Sequence, residues 1–269
     1  MSETYLASEK KDNAFIITFN RAAKRNAITV GMLTGICELA ESQAGAPDIR
    51  AIILKGEGKM FSAGVDFNSL GAEVGVRLGE AGAGGAPLRA LIYQYQQYLN
   101  RLEAVEIPII CAMHGRALGL GIELALACDI RLMSDDCVWA MPELKLGVIA
   151  DLGGTSRLSR LLGPSRAMEI FLTARDYTAQ QAVDWGLANY IYPEEDLISE
   201  AEKMAGDIAA TAPLAGGAVK KIIKRGDGVD LMTQLDMEAN HNSILLRTED
   251  FQEGLTAMME KRNPKWKKK

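Results

Sequence analysis

Residues 114–129 read HGRALGLGIELALACD, and this stretch guides the interpretation of the whole chain. Gly119 and Gly121 predict a turn into a helix, whose first N–H groups have no partner within the helix. Such N–H groups, with the helix dipole behind them, can stabilise negative charge on an oxygen atom. Glu123 follows among apolar neighbours, where a carboxylate is either paired or used in chemistry. The segment indicates either an acid that favours the helix dipole or part of a proton-transfer site.

Two further segments carry the same kind of signal. Residues 61–66 read FSAGVD, in which Gly64 permits a close backbone approach and hence a second N–H donor. Residues 141–147 read MPELKLG, and their Glu143 stands twenty positions after Glu123. Glu143 alone is equally consistent with an ordinary loop acid. Together, the three segments supply backbone donors for an oxyanion and carboxylates that move protons, as chemistry beside a thioester carbonyl requires.

A third carboxylate, Asp151, stands in residues 147–155, which read GVIADLGGT. Close to two other acids, it would raise at least one pKa through like-charge repulsion and so keep a neutral acid near pH 7. Asp151 also precedes a helical run, and aspartate is a favoured helix N-cap. Both roles for Asp151, catalytic base and helix cap, remain open from the sequence.

The composition is that of a globular protein, with 269 residues, 48% hydrophobic and 24% charged. This length suits one large α/β domain, or one domain with a small appendage. The net charge of −5 argues against a general nucleic-acid binder. Basic residues cluster locally instead, at Lys24 and Arg25 and again near the C-terminus. We interpret the last three lysines, residues 267–269, as a solvated tail.

The four cysteines form no Cys-x-x-Cys pair and stand among apolar neighbours. They predict buried thiols in a reducing compartment, with neither disulfides nor a metal site. His114 is interpreted as a hydrogen-bonded core residue. The first residues are polar and acidic, and no apolar run reaches the length of a membrane span. We therefore predict a cytoplasmic protein that does not associate with a membrane.

Strand-like and helix-like segments alternate through the first two thirds of the chain, which favours an α/β fold. A glycine-rich stretch, residues 71–87, is predicted to be a mobile surface loop. After residue 195 nearly every segment has helical spacing. The predicted strands are residues 14–19, 50–55, 107–113 and 130–133; the predicted helices are 29–41, 88–102, 197–210, 214–224, 231–246 and 250–261.

The three glycine- and acid-bearing segments resemble those of the crotonase family, the enoyl-CoA hydratases and isomerases. The resemblance extends from Asn20 to about Lys261 and includes DWGLA at 184–188 and RTEDFQEG at 247–254. It implies an α/β spiral of β-β-α repeats, for which we take residues 1–195. It also implies a helical C-terminal region, residues 196–269, that forms a homotrimer or a hexamer built as a dimer of trimers.

The resemblance also implies roles for individual residues. Glu123 and Glu143 match the two hydratase glutamates that hold a water and shuttle its proton. Val65 and Leu120 match the residues whose backbone N–H groups form the oxyanion hole, although the family usually has glycine where this chain has Leu120. Asp151 matches an aspartate that acts as a base in dienoyl-CoA isomerases and some enoyl-CoA isomerases.

Coenzyme A would be bound as part of the substrate, with no separate cofactor. By resemblance, Lys24 and Arg25 in the segment NRAAKRNA (20–27) would face its phosphates, and backbone near Ala63 and Phe67 would bracket its adenine. Lys261 matches a lysine that contacts coenzyme A bound mainly to a neighbouring subunit.

The resemblance, with both glutamates present, implies reversible hydration of a trans-2-enoyl-CoA. The alternative is double-bond migration in a dienoyl-CoA or 3-enoyl-CoA, with Glu143 and Asp151 moving the protons. A third hypothesis, from another functional class, is a non-catalytic binder of acyl-CoA, or of RNA through the basic tail at residues 265–269.

Overall fold

The central sheet is built from short strands rich in β-branched and other apolar residues. The computed structural model describes residues 5–81 and 85–269. Its strands are β1 (Leu6–Lys11), β2 (Ala14–Phe19), β3 (Ala51–Gly56), β4 (Ile109–Met113), β5 (Arg116–Leu118), β6 (Ile130–Ser134), β7 (Val138–Ala140), β8 (Tyr177–Thr178) and β9 (Tyr190–Tyr192). Six of them form one sheet in the order β1-β2-β3-β4-β6-β9, and β5-β7-β8 form a second sheet. β1 pairs antiparallel with β2, and the other neighbours in the large sheet are parallel.

Helices cover both faces of the large sheet, as expected for parallel strands that are buried on both sides. They are α1 (Val30–Glu41), α2 (Phe67–Ala81), α3 (Gly85–Ala104), α4 (Leu120–Ala127), α5 (Gly154–Leu162), α6 (Pro164–Thr173), α7 (Ala179–Trp185), α8 (Leu197–Ala209), α9 (Pro213–Gly226), α10 (Leu231–Leu245) and α11 (Glu249–Glu260), with short 3-10 helices at Ala22–Lys24, Glu143–Leu146 and Glu194–Asp196. The main core lies between the sheet and α1, α3 and α4. A smaller core lies on the other face, where α8 contributes Leu197, Ala201 and Ala205.

Most predicted elements are present within a few residues of their expected bounds. β2, β3, β4 and β6 match the four predicted strands, and α1 begins one residue after the capping residue Thr29. The helices after residue 195 are also present. The domain boundary at that residue stays a prediction. Within the described ranges, no helix is long and apolar enough to cross a membrane.

The predicted mobile loop at residues 71–87 is wrong. α2 runs to Ala81 and α3 begins at Gly85, while residues 82–84 lie outside the described ranges. Leu70 and Val74 of α2 pack against the main core. A side chain added at Gly71 or Gly75 would meet nothing within 4 Å, so the α2 glycines lie on its open side. The helix forms because its apolar side is packed, despite the low helix propensity of glycine.

The interpretation of the C-terminal lysines as a solvated tail is wrong for their backbone. Asp250, only 2% exposed, accepts hydrogen bonds from the backbone N–H groups of Lys267 (2.7 Å) and Lys268 (3.0 Å). Trp266 donates its indole N–H to Ala210 O at 2.9 Å. Hydrogen bonds to a buried carboxylate therefore anchor the tail to α11 and to the end of α8.

We predict that Asp250→Asn destabilises the protein by roughly 1.5–3 kcal/mol, the range for hydrogen bonds to charged groups. The amide oxygen can replace one acceptor, but the amide NH₂ would face the second backbone donor. Urea unfolding at fixed protein concentration measures this loss. Asp207→Asn, at an exposed position of α8, is the control and should change little. Equal stability of the two variants would contradict the anchoring role.

Candidate active site

Two backbone turns meet at one side of the small sheet. Gly64 has φ +91°, and a Cβ added there would lie 2.9 Å from Leu118 O and 3.7 Å from Leu120 N. The turn that carries Val65 therefore packs directly on the entry to α4, and a side chain at Gly64 would separate them. The sequence prediction that these two turns converge agrees with this geometry.

The N–H groups of Val65 and Leu120 are both available to a ligand. Ile28 bonds to the peptide groups on either side of Val65, donating to Gly64 O at 2.7 Å and accepting from Asp66 N at 2.8 Å, so the Val65 N–H faces away from Ile28. In the part of the chain that the structure describes, no residue accepts a hydrogen bond from Val65 N or Leu120 N. Both residues line one cavity.

The Glu123 carboxylate is 4% exposed and is held by backbone donors. Its Oε1 accepts hydrogen bonds from Leu152 N (2.9 Å) and Gly154 N (2.8 Å). Burial raises the pKa of Glu123 to about 8, and the negative charges of Glu143 and Asp151 add to this rise. A Cβ at Gly154 would lie 2.8 Å from the same oxygen, so glycine is required for this close approach.

Glu143 begins the 3-10 helix that follows Pro142, and its side chain reaches the entry of α4. A Cβ at Gly119 would lie 2.5 Å from Glu143 Oε1. Glu143 Oε2 is buried, and no described residue donates a hydrogen bond to it. Burial raises the pKa of Glu143, and the charge of Asp151 adds to the effect. A buried carboxylate oxygen without a partner is costly in a folded protein and therefore indicates a functional role.

Asp151 does not cap α5. Gly153 occupies the N-cap position and has no side chain to accept a bond, because the tight turn before α5 places the aspartate two residues too early. The capping interpretation is therefore wrong. The Asp151 side chain instead lies at the same cavity as Glu123 and Glu143, and burial raises its pKa.

The cavity has a volume of about 560 Å³ and is lined by the three acids and by apolar residues of α1, α2 and α3. Tyr95 closes one wall by donating its hydroxyl to Glu73 Oε2 at 2.6 Å. The lining residue Asp66 forms an ion pair with Arg21 at 2.5 Å. The wall residues are Leu33, Leu70, Val74, Leu88, Leu91, Ile92 and Tyr95.

The residues predicted to bind coenzyme A divide into two groups. Ala63 and Phe67 line the cavity, and the Phe67 side chain is 60% exposed. Lys24 and Arg25 are exposed in a neighbouring loop, which Ala63 N joins through a 2.9 Å bond to Arg25 O. Lys261 is exposed at the end of α11 and is not among the cavity residues of its own chain.

The structure also locates the cysteines, His114 and an ion pair that the sequence analysis did not predict. The four cysteines are buried and free, as predicted. His114 Nε2 lies 2.8 Å from Gly58 O, in agreement with the predicted core histidine. The Arg21–Asp66 pair was missed, although both residues stand in the quoted segments and have opposite charge. Within the described residues, no cluster of three His, Cys, Asp or Glu side chains is placed to hold a metal ion.

We predict that the free energy of unfolding falls as pH rises from about 4.5, the ordinary pKa of Glu123, to about 8. The folded protein keeps the Glu123 proton that the unfolded chain releases, so stability declines by about 1.4 kcal/mol per pH unit in this window and levels off above it. Urea unfolding at a series of pH values, compared with Glu123→Gln, isolates this contribution. Parallel curves for the two proteins would contradict the raised pKa, and the exposed Glu195→Gln serves as the control.

Comparisons with known proteins agree with this geometry. The family model described as "Enoyl-CoA hydratase/isomerase" matches residues 9–269. The 2,3-dehydroadipyl-CoA hydratase of Escherichia coli (strain K12) is 32% identical over 99% of this chain and 99% of its own. The peroxisomal Delta(3,5)-Delta(2,4)-dienoyl-CoA isomerase of Arabidopsis thaliana is 32% identical over 95% of this chain and 93% of its own.

Solved structures extend the similarity to the whole fold. A crystal structure of enoyl-CoA hydratase from Bacillus anthracis superposes with a TM-score of 0.88 at 31% identity, covering 99% of this chain and 100% of the other. The α/β fold with two sheets and C-terminal helices is thus confirmed as the crotonase fold. This chain belongs to the enoyl-CoA hydratase/isomerase, or crotonase, family, whose members act on acyl-CoA.

Proposed function

We propose that the protein catalyses reversible hydration of a trans-2-enoyl-CoA. The observation that carries this proposal is the buried, unpartnered Oε2 of Glu143 in the same cavity as Glu123, with which Glu143 interacts electrostatically. Two carboxyl groups with raised pKa values can share protons and hold one water molecule between them. The unbonded N–H groups of Val65 and Leu120 are suited to the thioester oxygen of such a substrate.

In the proposed reaction, the water oxygen adds to the β carbon while one carboxylate of the pair takes a proton from that water. The electron pair of the double bond moves toward the carbonyl, and the negative charge on its oxygen is stabilised by the N–H groups of Val65 and Leu120. The other carboxyl group of the pair then supplies a proton to the α carbon. The product is a 3-hydroxyacyl-CoA, and the two carboxyl groups together neither gain nor lose a proton.

The cavity walls favour an uncharged acyl group. Asp66, Glu123, Glu143 and Asp151 line the cavity, and Lys145, exposed, is its one lining lysine among the described residues. A carboxylate at the far end of an acyl chain would lose its hydration against the apolar side chains of α2 and α3. In contrast, each methylene placed against the α2 and α3 walls gains roughly 0.8 kcal/mol.

We assign coenzyme A to the rim of this cavity. Lys24 and Arg25 would meet its phosphates, and the backbone near Ala63 and Phe67 would bracket the adenine. Lys261 would reach coenzyme A on a neighbouring subunit of a trimer or hexamer. Support for an oligomer comes from the exposed apolar side chains of α9 and α10, which include Val219 (54% exposed), Leu231 (69%) and Ile244 (66%).

We expect Glu143→Gln to lower kcat for hydration of crotonyl-CoA at least tenfold, since general acid–base catalysis contributes roughly 10²–10⁴-fold. The loss of the enoyl thioester absorbance measures hydration. Glu195→Gln is the control and should keep full activity. Near-normal hydration by Glu143→Gln would eliminate the proposal.

Double-bond migration is the second candidate, because Asp151 lies in the same cavity as Glu143 and interacts with it electrostatically. Relatives named as hydratases and as dienoyl-CoA isomerases are equally similar to this chain, so identity does not separate the two reactions. The RNA-binding alternative is disfavoured by the anchored tail and by the net charge of −5.

We expect Asp151→Asn to retain most hydration of crotonyl-CoA, because the variant keeps both glutamates. If the protein also isomerises a 3,5-dienoyl-CoA, the same variant should lose roughly tenfold or more of that activity. Following the diene absorbance in a separate assay measures it. Loss of hydration in this variant, with isomerisation intact, would reverse the assignment of the carboxylates.

A further inference from the structure

The turn formed by residues 151–154 determines where the Glu123 carboxylate lies. Two of its N–H groups, on Leu152 and Gly154, donate to the same oxygen, Glu123 Oε1. A turn can present two N–H groups to one atom only if its peptide planes are fixed. The groups that bind its carbonyl oxygens therefore control the position of Glu123.

Two side chains from different helices bind those carbonyl oxygens. Gln96 of α3 donates from Nε2 to Asp151 O at 2.7 Å. Arg157 of α5 donates from Nη1 to Leu152 O at 3.0 Å. The carbonyl oxygens of Asp151 and Leu152 thus each accept a side-chain hydrogen bond. The peptide group that joins Asp151 to Leu152 also contains the Leu152 N–H that binds Glu123.

Arg157 is itself fixed in place. Its Nη2 lies 2.9 Å from both Glu103 Oε2 and Asn100 Oδ1, and its side chain is 14% exposed. A Cβ at Gly153 would lie 2.0 Å from Arg157 Nη1, so the guanidinium packs directly against the glycine backbone. The turn, α3 and α5 are therefore joined through one largely buried side chain.

We propose that Gln96 and Arg157 are positioning residues that hold the 151–154 turn so that its N–H groups orient Glu123 for proton transfer. This inference rests on the proposed function for its effect on rate. Its effect on the protonation of Glu123 does not depend on which reaction the site catalyses.

The direction of the expected titration change follows from the contacts of Glu123. The N–H groups of Gly154 and Leu152 lower its pKa, while burial and the charges of Glu143 and Asp151 raise it. Arg157 and Glu103, from the α5 and α3 sides, pair with each other. Loosening the turn weakens the two N–H bonds, which should move the Glu123 titration to higher pH.

Gln96→Met tests the proposal, because methionine has similar length but cannot donate to Asp151 O. We expect kcat for crotonyl-CoA to fall roughly ten- to a hundredfold, as small misplacements of a catalytic group do, with KM changed far less. Gln97→Met, at the next and exposed position of α3, is the matched control. Arg157→Lys keeps the charge opposite Glu103 and should lose less activity than Arg157→Gln.

Infrared titration of the carboxyl band that disappears in Glu123→Gln gives a second readout that needs no substrate. The band should titrate at higher pH in Gln96→Met than in the unaltered protein or in Gln97→Met. An unchanged titration would overturn the proposal, even if kcat falls. If all proteins lack hydratase activity but the band shifts as expected, the hydration proposal fails and the positioning role stands.

Discussion

The burial of the Glu123 carboxylate is the constraint on which the site depends. A carboxylate taken out of water must be bonded or protonated, and here both solutions operate, because two backbone N–H groups bind one oxygen and burial favours the proton. The N–H groups come from Leu152, in the turn before α5, and from Gly154, the first residue of α5. Glycine is therefore needed at position 154, because a Cβ there would lie 2.8 Å from that oxygen.

The start of α4 places the proposed oxyanion donors beside the acids. α4 begins at Leu120, so its first free N–H and the buried Glu123 are less than one helical turn apart. Gly64 brings the Val65 turn against this helix entry, and Gly119 leaves space for Glu143. One helix start thereby links the N–H group proposed to stabilise an anion with the two carboxyl groups proposed to transfer protons, and displacement of either turn would disturb both.

The sequence predicted the parts of the site that depend on local patterns. A few consecutive residues are enough to identify the glycines beside Glu123 and Glu143 and the apolar strands around them. The placement of Asp151 was left open because a cap and a cavity acid have the same local pattern, and the turn at Gly153 decides between them. The Gln96 contact with Asp151 O was missed, because it joins residues 55 positions apart and no motif marks it.

The two wrong predictions also arise from contacts between distant parts of the chain. Glycine content predicted a loop where tertiary packing of Leu70 and Val74 forms α2. The charge of the C-terminal lysines predicted a solvated tail, but their backbone, which the side-chain pattern does not report, is bonded to Asp250. The cytoplasmic location and the oligomeric state stay predictions.

The glycines on the open side of α2 make this wall of the cavity less stable than the part that holds the acids. Each glycine weakens a helix by about 1 kcal/mol relative to alanine, so α2 depends on a few apolar contacts for its existence. The acids instead lie on or beside α4, α5 and the hydrogen-bonded turn before α5. Local unfolding should therefore begin at α2, and amide exchange there should be faster than around the acids. In the proposed hydration, such a wall would admit acyl groups of different bulk while α4, α5 and the turn between them keep the acids in place.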